Sequence, residues 1–385
     1  MKPAPQPLLS PVEILHALVA IPSVSSVSNL PLLTWVTSFL QPRGWSCRLL
    51  PYQDENGIAK ANLLARPASS QRADPDRIDL AFICHTDTVP PAVGWSDPYT
   101  LHVADGQANG LGACDVKAPL ACFLAAAASL SGASPTGAIH SGIALLLTAD
   151  EEIGCKGMER LLAALPALRI ARAIVSEPTS LRPAVAGKGY GLARVTLRGR
   201  EAHSAFPREG VSAIAAAASL IPRILAASSA VNHPLFDPPA TTFNIGTITG
   251  GTAKNIVPGE CSFLLEWRAV PNEPDVAARL RQLVHQAADP LPGIAMHFDL
   301  LRDEPGFDCA STSSLAAHLS AALHRERTGI SFGSEATRVA RIADEVIVLG
   351  PGDMHTAHSD RECVPLAELD EWTQTLQLLL DSFPE

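Results

Sequence analysis

The apolar run Ile78-Asp79-Leu80-Ala81-Phe82-Ile83-Cys84 ends in His85-Thr86-Asp87-Thr88-Val89-Pro90, which sets an imidazole and a carboxylate two residues apart on one side of an extended segment. That spacing lets a histidine ligate a metal while an aspartate orients its ring, although such a pair is more often a hydrogen-bonded turn. The arrangement recurs. Ile143 to Thr148 runs into Ala149-Asp150-Glu151-Glu152, three adjacent carboxylates whose repulsion is relieved only by a cation or by shared protons. Ala173-Ile174-Val175-Ser176 is followed by Glu177-Pro178-Thr179, and Val346 to Leu349 leads into Gly350-Pro351-Gly352-Asp353-Met354-His355-Thr356-Ala357-His358. Asp115, in Gly112-Ala113-Cys114-Asp115-Val116-Lys117, precedes an alanine-rich segment, where a lone aspartate would ordinarily be a helix N-cap. Together these positions offer carboxylate and imidazole donors without thiolate, which suits a catalytic zinc, manganese or cobalt centre better than a structural cysteine site. Two ions sharing one carboxylate would polarise a carbonyl and lower the pKa of water, with a spare carboxylate as general base.

The elements that must hold these residues follow from periodicity. Short apolar runs closed by polar residues read as strands buried on both faces, and in α/β sheets the site lies at their carboxyl ends. Helical patterns at Pro11 to Ala20, Leu30 to Leu40, Ala118 to Ser131 and Met158 to Leu168 alternate with them. From about Gly187 the order becomes strand (Leu192 to Leu197), helix (Val211 to Ala226), two strands (Thr242 to Ile248 and Glu260 to Arg268), helix (Glu273 to Ala288) and strand (Ala295 to Leu300), a compact βαββαβ unit of two layers. Helical and strand patterns then resume at Ser311 to Thr328 and Val346 to Leu349, and the chain closes on a helix, Pro365 to Leu380. The fold class is therefore α/β, with an inserted domain at 188–301 and a first domain assembled from 1–187 and 302–385. The polar stretch Ala68 to Arg77 reads as a surface loop.

As a set, His85 to Pro90, Gly112 to Lys117, Asp150 to Gly157, Ser176 to Thr179, Lys188-Gly189, Ala202-His203-Ser204, Gly250 to Pro258 and Gly350 to Glu362 resemble the zinc-dependent M20 family of amidohydrolases and exopeptidases, which contains acetylornithine deacetylase, succinyl-diaminopimelate desuccinylase, carboxypeptidase and aminoacylase. The resemblance runs in order from about Pro11 to the C-terminus. It implies a mixed-sheet, zinc-peptidase-like catalytic domain carrying an inserted dimerisation or lid domain. It also implies that His85, Asp115 and Glu177 hold one divalent ion and Asp115, Glu152 and His358 a second, with Asp115 bridging. Glu151 would then be the general base acting on a bridging hydroxide, and Asp87 the partner that orients His85. By the same resemblance His203 stabilises the oxyanion, often from the partner subunit of a homodimer, while Asn255 and Arg268 face the substrate, Arg268 as a fork for its carboxylate. His203 reads equally well as an ordinary polar residue at a strand-to-helix turn, the Gly250 to Pro258 turn as a plain hairpin, and Arg268 as a solvated strand residue.

Ser176 to Leu181, Phe332 to Ala336 and Gly350 to Asp353 look most like the acetylornithine deacetylase branch, which implies hydrolysis of N2-acetyl-L-ornithine to L-ornithine and acetate in arginine biosynthesis, with zinc, or cobalt in its place. Val116 and Leu111 depart from the branch pattern, which usually has methionine and arginine there. N-acetylcitrulline, succinyl-diaminopimelate or a dipeptide are the alternative substrates.

Composition excludes other classes. The 385 residues are 47% hydrophobic and 18% charged, so a sizeable core is available and disorder is not the expectation. A net charge of -10 opposes a nucleic-acid partner. The eight cysteines are scattered without a C-x-x-C pair, which fits buried fillers in a reducing, cytoplasmic compartment. Leu8 to Val24 is interrupted by Glu13 and His16 and reads as an amphipathic helix rather than a signal peptide, and no apolar stretch reaches the roughly 20 residues of a bilayer span. One motif belongs to another class: Gly329-Ile330-Ser331-Phe332-Gly333 fits the nucleophile elbow of a serine hydrolase, with Asp353 and His358 in triad order, but the charged His324 to Thr328 stands where a buried strand is required.

Overall fold

The structure, a computed structural model, describes residues 9–68, 74, 76–130, 142–227, 231–288, 292–309 and 313–381. Most of the expected loop Ala68 to Arg77 lies outside these. The chain divides into two compact units: Met1–Val185, Cys309–Thr328 and Ser334–Glu385 form the first, and Ala186–Asp308 with Gly329–Gly333 the second.

The first unit is built on a mixed sheet whose strands run in the spatial order Trp45–Gln53, Ala59–Pro67, Ile143–Thr148, Arg77–His85, Arg169–Val175 and Ala343–Val348. The last four are parallel, so their carboxyl ends point the same way. Strand Ile143–Thr148 is buried at every position, and Arg77–His85 at all but its first and third. Burial of each leucine in such a strand contributes about 1.5–3 kcal/mol, which is why these runs hold the centre and leave their polar continuations at the rim. Helix Ala118–Leu130 packs against helices Pro11–Val19 and Leu366–Asp381. By length and composition Ala113–Leu130 would be apolar enough to cross a membrane, the one such stretch among the described residues, yet 89% of it is buried inside the protein. Core packing accounts for its alanines.

Helix edges differ from the periodic reading where capping decides them. Ser10 caps Pro11–Val19 through a reciprocal box with Glu13. Ser313 caps Ser314–Leu323, which ends at left-handed His324 rather than running on to Thr328. The helix expected at Met158 to Leu168 starts earlier, at Lys156, and ends at Ala164, because Cys155 at φ +53° turns the chain directly out of the acidic loop.

The second unit carries a four-stranded antiparallel sheet in the order Thr242–Gly250, Glu260–Arg268, Tyr190–Arg198, Ala295–Glu304, with helices Ala213–Leu225 and Val276–Ala288 packed on it. Its core gathers Val195, Leu197, Leu220, Phe263, Leu265, Trp267 and Leu280. That is the βαββαβ two-layer order expected from the sequence.

One glycine ties the fold to the site. A Cβ on Gly157 would lie 2.0 Å from the Ala149 carbonyl oxygen, at the root of the acidic loop. Gly157→Ala is expected to lower stability by about 1–3 kcal/mol, as overpacking does, and to lower activity with it; a denaturation midpoint equal to that of the parent protein would contradict this close packing.

Candidate metal centre

The parallel strands deliver their carboxyl ends to one place. His85 closes its strand beside Thr148, and the residues after Thr148, Val175 and Val348 supply Glu151, Glu152, Glu177 and His358. Asp115 arrives differently, from the kinked segment Ala113–Lys117 just ahead of helix Ala118–Leu130, with φ -116° and ψ 89°. It is not an N-cap. Buried Glu362 holds this segment by accepting the amide N–H groups of Cys114 at 2.9 Å and Asp115 at 3.0 Å.

Two ligand sets result. In each of His85, Asp115, Glu177 and Asp115, Glu152, His358, one donor atom per residue lies within 4.8 Å of all the others. Asp115 is common to both: His85 Nε2 stands 3.0 Å from its Oδ1 and His358 Nε2 3.2 Å from its Oδ2. His358 Nε2 is also 3.3 Å from Glu152. The donors are imidazole nitrogens and carboxylate oxygens with no thiolate, which fits a borderline divalent ion such as zinc, manganese or cobalt.

Asp87 is buried and faces the acidic loop. It is the backbone carbonyl of Asp87 that meets His85 Nδ1 at 2.9 Å, while its nearest carboxylate oxygen lies 3.7 Å away. The carboxylate accepts the amides of Glu151 at 3.0 Å and Glu152 at 3.2 Å, and the Ser25 hydroxyl at 2.7 Å. Asp87 thus fixes the histidine and both glutamates at once.

Proton affinities are displaced as crowding requires. Loss of solvent, with Glu152 and Glu335 nearby, pushes Glu151 up to about 8 against the opposing pull of His85. Burial and the neighbouring Asp115 raise Glu177. Hydrogen bonds that His358 donates to Asp115 and Glu152 lift its pKa to about 10. Burial alone would lower His85, but Asp115 and Glu177 more than offset it.

Sequence reasoning passed over several residues here. Glu335 is buried, accepts the Thr148 hydroxyl at 2.8 Å, leaves its other oxygen without a hydrogen bond, and is raised to about 7 by burial. Cys155, read as a filler, directs its thiol to Glu151 at 3.2 Å. Only single polar positions within or beside apolar runs could have signalled them. The Asp353–His358 pair that a serine-hydrolase triad needs is not formed: Asp353 bonds His355 at 2.7 Å and His358 faces Asp115 and Glu152, while Ser331 is exposed after a strand of three residues.

In the second unit His203 and Asn255 are neighbours. His203 bridges Ile256, and the Ser204 amide donates to the Asn255 carbonyl at 2.9 Å. Both side chains are exposed. Arg268 is not brought to them. It closes a strand whose other end, about 25 Å away at roughly 3.3 Å per residue, adjoins the turn that carries Asn255. There it pairs with Glu266 at 2.8 Å and stacks on Tyr190, 4.4 Å from the ring centroid.

Residues 81–382 match the family described as Peptidase family M20/M25/M40. The chain belongs to that family. Membership makes it a metal-dependent hydrolase of amide bonds. An acetylornithine deacetylase of Myxococcus xanthus is 36% identical over 363 residues, covering 92% of each chain, and one of Proteus mirabilis is 29% identical over 388 residues, covering 97% of this chain and 96% of the other. Among solved structures, an aminopeptidase from Bacillus cereus shares the M20 fold with a TM-score of 0.75 at 22% identity, covering 96% of this chain and 97% of that one. A dinuclear metal-binding M20 peptidase of Bacillus subtilis does so with a TM-score of 0.68 at 13% identity, covering 96% of each chain.

A metal ligand must be unprotonated, so His358, which holds its proton to about pH 10 in the metal-free chain, and Glu177, whose proton affinity is raised, must give protons up on binding. Affinity for zinc therefore rises with pH, about tenfold per unit for each proton released. Calorimetric titration of the chelated protein in buffers of different ionisation enthalpy checks this, and heats that do not depend on the buffer would contradict it.

Proposed function

We propose that this protein hydrolyses the amide of an N-acyl α-amino acid, N2-acetyl-L-ornithine in the first place, to give L-ornithine and acetate for arginine biosynthesis in the cytoplasm. The observation that carries the reading is the position of Glu151. It is a carboxylate beside both ligand sets that belongs to neither, on a backbone fixed by Asp87. The 36% identity to the Myxococcus deacetylase supports the choice of substrate.

His85, Asp115 and Glu177 would hold one divalent ion and Asp115, Glu152 and His358 the other, zinc or cobalt by the chemistry of the donors. When bound, such ions supply Lewis-acid polarisation of the acyl carbonyl and a lowered pKa for water. Glu151 takes a proton from the attacking water as the C–O bond forms, and passes it to the leaving nitrogen as the C–N bond breaks. Glu362 holds Asp115 between the two sets.

The first unit is proposed as the catalytic domain and the second as the dimerisation domain. Strand Thr242–Gly250 is a sheet edge with Ile248 exposed, as self-pairing of two chains requires. Exposed His203 is proposed to stabilise the oxyanion from the partner subunit, Asn255 to contact the substrate, and Arg268 to bind its carboxylate after exchanging Glu266 for it.

Release of amine from N2-acetyl-L-ornithine, N-acetylcitrulline and N-succinyl-diaminopimelate, before and after chelation and re-addition of zinc or cobalt, tests the substrate. Preference for the first compound, lost on chelation and restored by metal, is expected; preference for another would move the assignment to that acyl amino acid. Glu151→Ala should keep its metal and lose at least about 100-fold in kcat, whereas His358→Ala should lose metal. Normal turnover in Glu151→Ala would sink the base assignment.

A further inference from the structure

Strand Ala59–Pro67 is apolar except for Lys60, Asn62 and the half-buried Arg66, and Lys60 and Asn62 share one face because they are two residues apart. Lys60 and Asn62 are each 1% exposed. The strand pairs antiparallel with Ile143–Thr148 in the register Leu63 to Leu147, Leu64 to Leu146 and Ala65 to Leu145. Continued, that register sets Asn62 opposite Thr148, the last residue of its partner, and Lys60 opposite Asp150 in the acidic loop. Lys60 Nζ donates to Asp150 Oδ1 at 2.8 Å and to the Ser25 carbonyl at 2.7 Å. Asn62 accepts the Ala149 amide at 3.2 Å and donates to the Gly157 carbonyl at 2.8 Å, so it ties together the two ends of the loop. The Tyr52 hydroxyl donates to the second Asp150 oxygen at 2.9 Å.

These contacts close a ring. Lys60 holds Ser25, Ser25 donates to Asp87, Asp87 accepts the amides of Glu151 and Glu152, and the adjoining Asp150 returns to Lys60. Asp150 sits at φ +58°, a left-handed conformation that is uncommon outside glycine but open to aspartate, and here its carboxylate is held by Lys60 and Tyr52. Burying an ammonium is costly, and an apolar pair of similar volume would serve stability as well or better. What such a pair could not do is fix the direction in which Asp150 hands the chain on to Glu151.

We infer that Lys60 and Asn62 are positioning residues for the reaction: they set the backbone of the Ala149–Glu152 turn so that Glu151 is aimed as base while Glu152 is aimed as ligand. The inference rests on the roles proposed for those two glutamates. Neither Lys60 nor Asn62 contacts a ligand atom, so their action passes through Asp150 and Ala149.

The test compares full-length, zinc-loaded Lys60→Met and Asn62→Ala with the parent and with Glu151→Ala, measuring kcat, KM, the pH profile, zinc content and thermal midpoint. Misplacement of a catalytic group by about 1 Å costs on the order of 100-fold. Both variants should therefore lose about that factor in kcat with KM little changed, shift the pH dependence of kcat, and retain less zinc than the parent. Tyr52→Phe, which leaves Asp150 paired with Lys60, should show a smaller loss of kcat at an unchanged thermal midpoint, and it carries the test with Asn62→Ala if Lys60→Met does not fold. A loss of activity that merely tracks the folded fraction, with an unaltered pH profile, would overturn the positioning role, as would parent-like kcat in Lys60→Met and Asn62→Ala beside an inactive Glu151→Ala. Parent-like turnover in Glu151→Ala would instead remove the base assignment on which the inference stands.

Discussion

Negative charge crowded at the carboxyl ends of four parallel strands is the constraint around which the first unit is organised. Asp87, Asp115, Glu151, Glu152 and Glu177 converge there, each largely withdrawn from water. Two like charges 4 Å apart repel by roughly 4 kcal/mol at an effective dielectric of 20, so the set cannot persist fully ionised without compensation. The protein supplies part of it: amide donors to Asp87 and to Glu362, the imidazoles of His85 and His358 on Asp115, and the ammonium of Lys60 on Asp150. Protons retained by Glu151, Glu177 and His358 supply the rest in the metal-free chain. Divalent ions would replace those protons, and the crowded negative charge would favour their binding.

Most of this was legible in the sequence because a strand buried on both faces leaves an apolar run, and a carboxylate directly after such a run has few ordinary reasons to be there. His85, Glu151, Glu152 and Glu177 were singled out as candidates in that way, whereas the resemblance chose His358 over His355. Strand order was not legible, since parallel strands are joined through helices and local pattern says nothing about which neighbour each takes. Asp115 as a candidate ligand also escaped local reading, because it lies on a kinked segment ahead of a helix and only the resemblance to a family separated it from a cap. Lys60, Asn62, Glu335 and Glu362 went unseen for a common reason: each is a lone polar residue whose meaning depends on a segment distant in the chain.

The second unit follows a different logic. Its antiparallel sheet alternates buried and exposed positions, as in the pattern of Tyr190–Arg198, so its periodicity announced the βαββαβ order directly. Function is less local there. His203 and Asn255 are exposed on neighbouring turns, and Arg268 is occupied by Glu266 and Tyr190 at the far end of the sheet. Side chains exposed on turns carry no burial signature of their own, which explains why family resemblance alone singled out His203 and Asn255 as candidates.

Asp115 is the side chain on which the two ligand sets depend together, since each histidine meets a different one of its oxygens. The most direct measurement is therefore the metal content of purified Asp115→Ala beside the parent protein, each loaded with zinc and freed of excess. About two ions per chain in the parent and almost none in the folded variant is the result expected of a shared ligand. Retention of one ion or more by the variant, or a parent protein that takes up only one, would contradict a centre bridged by Asp115.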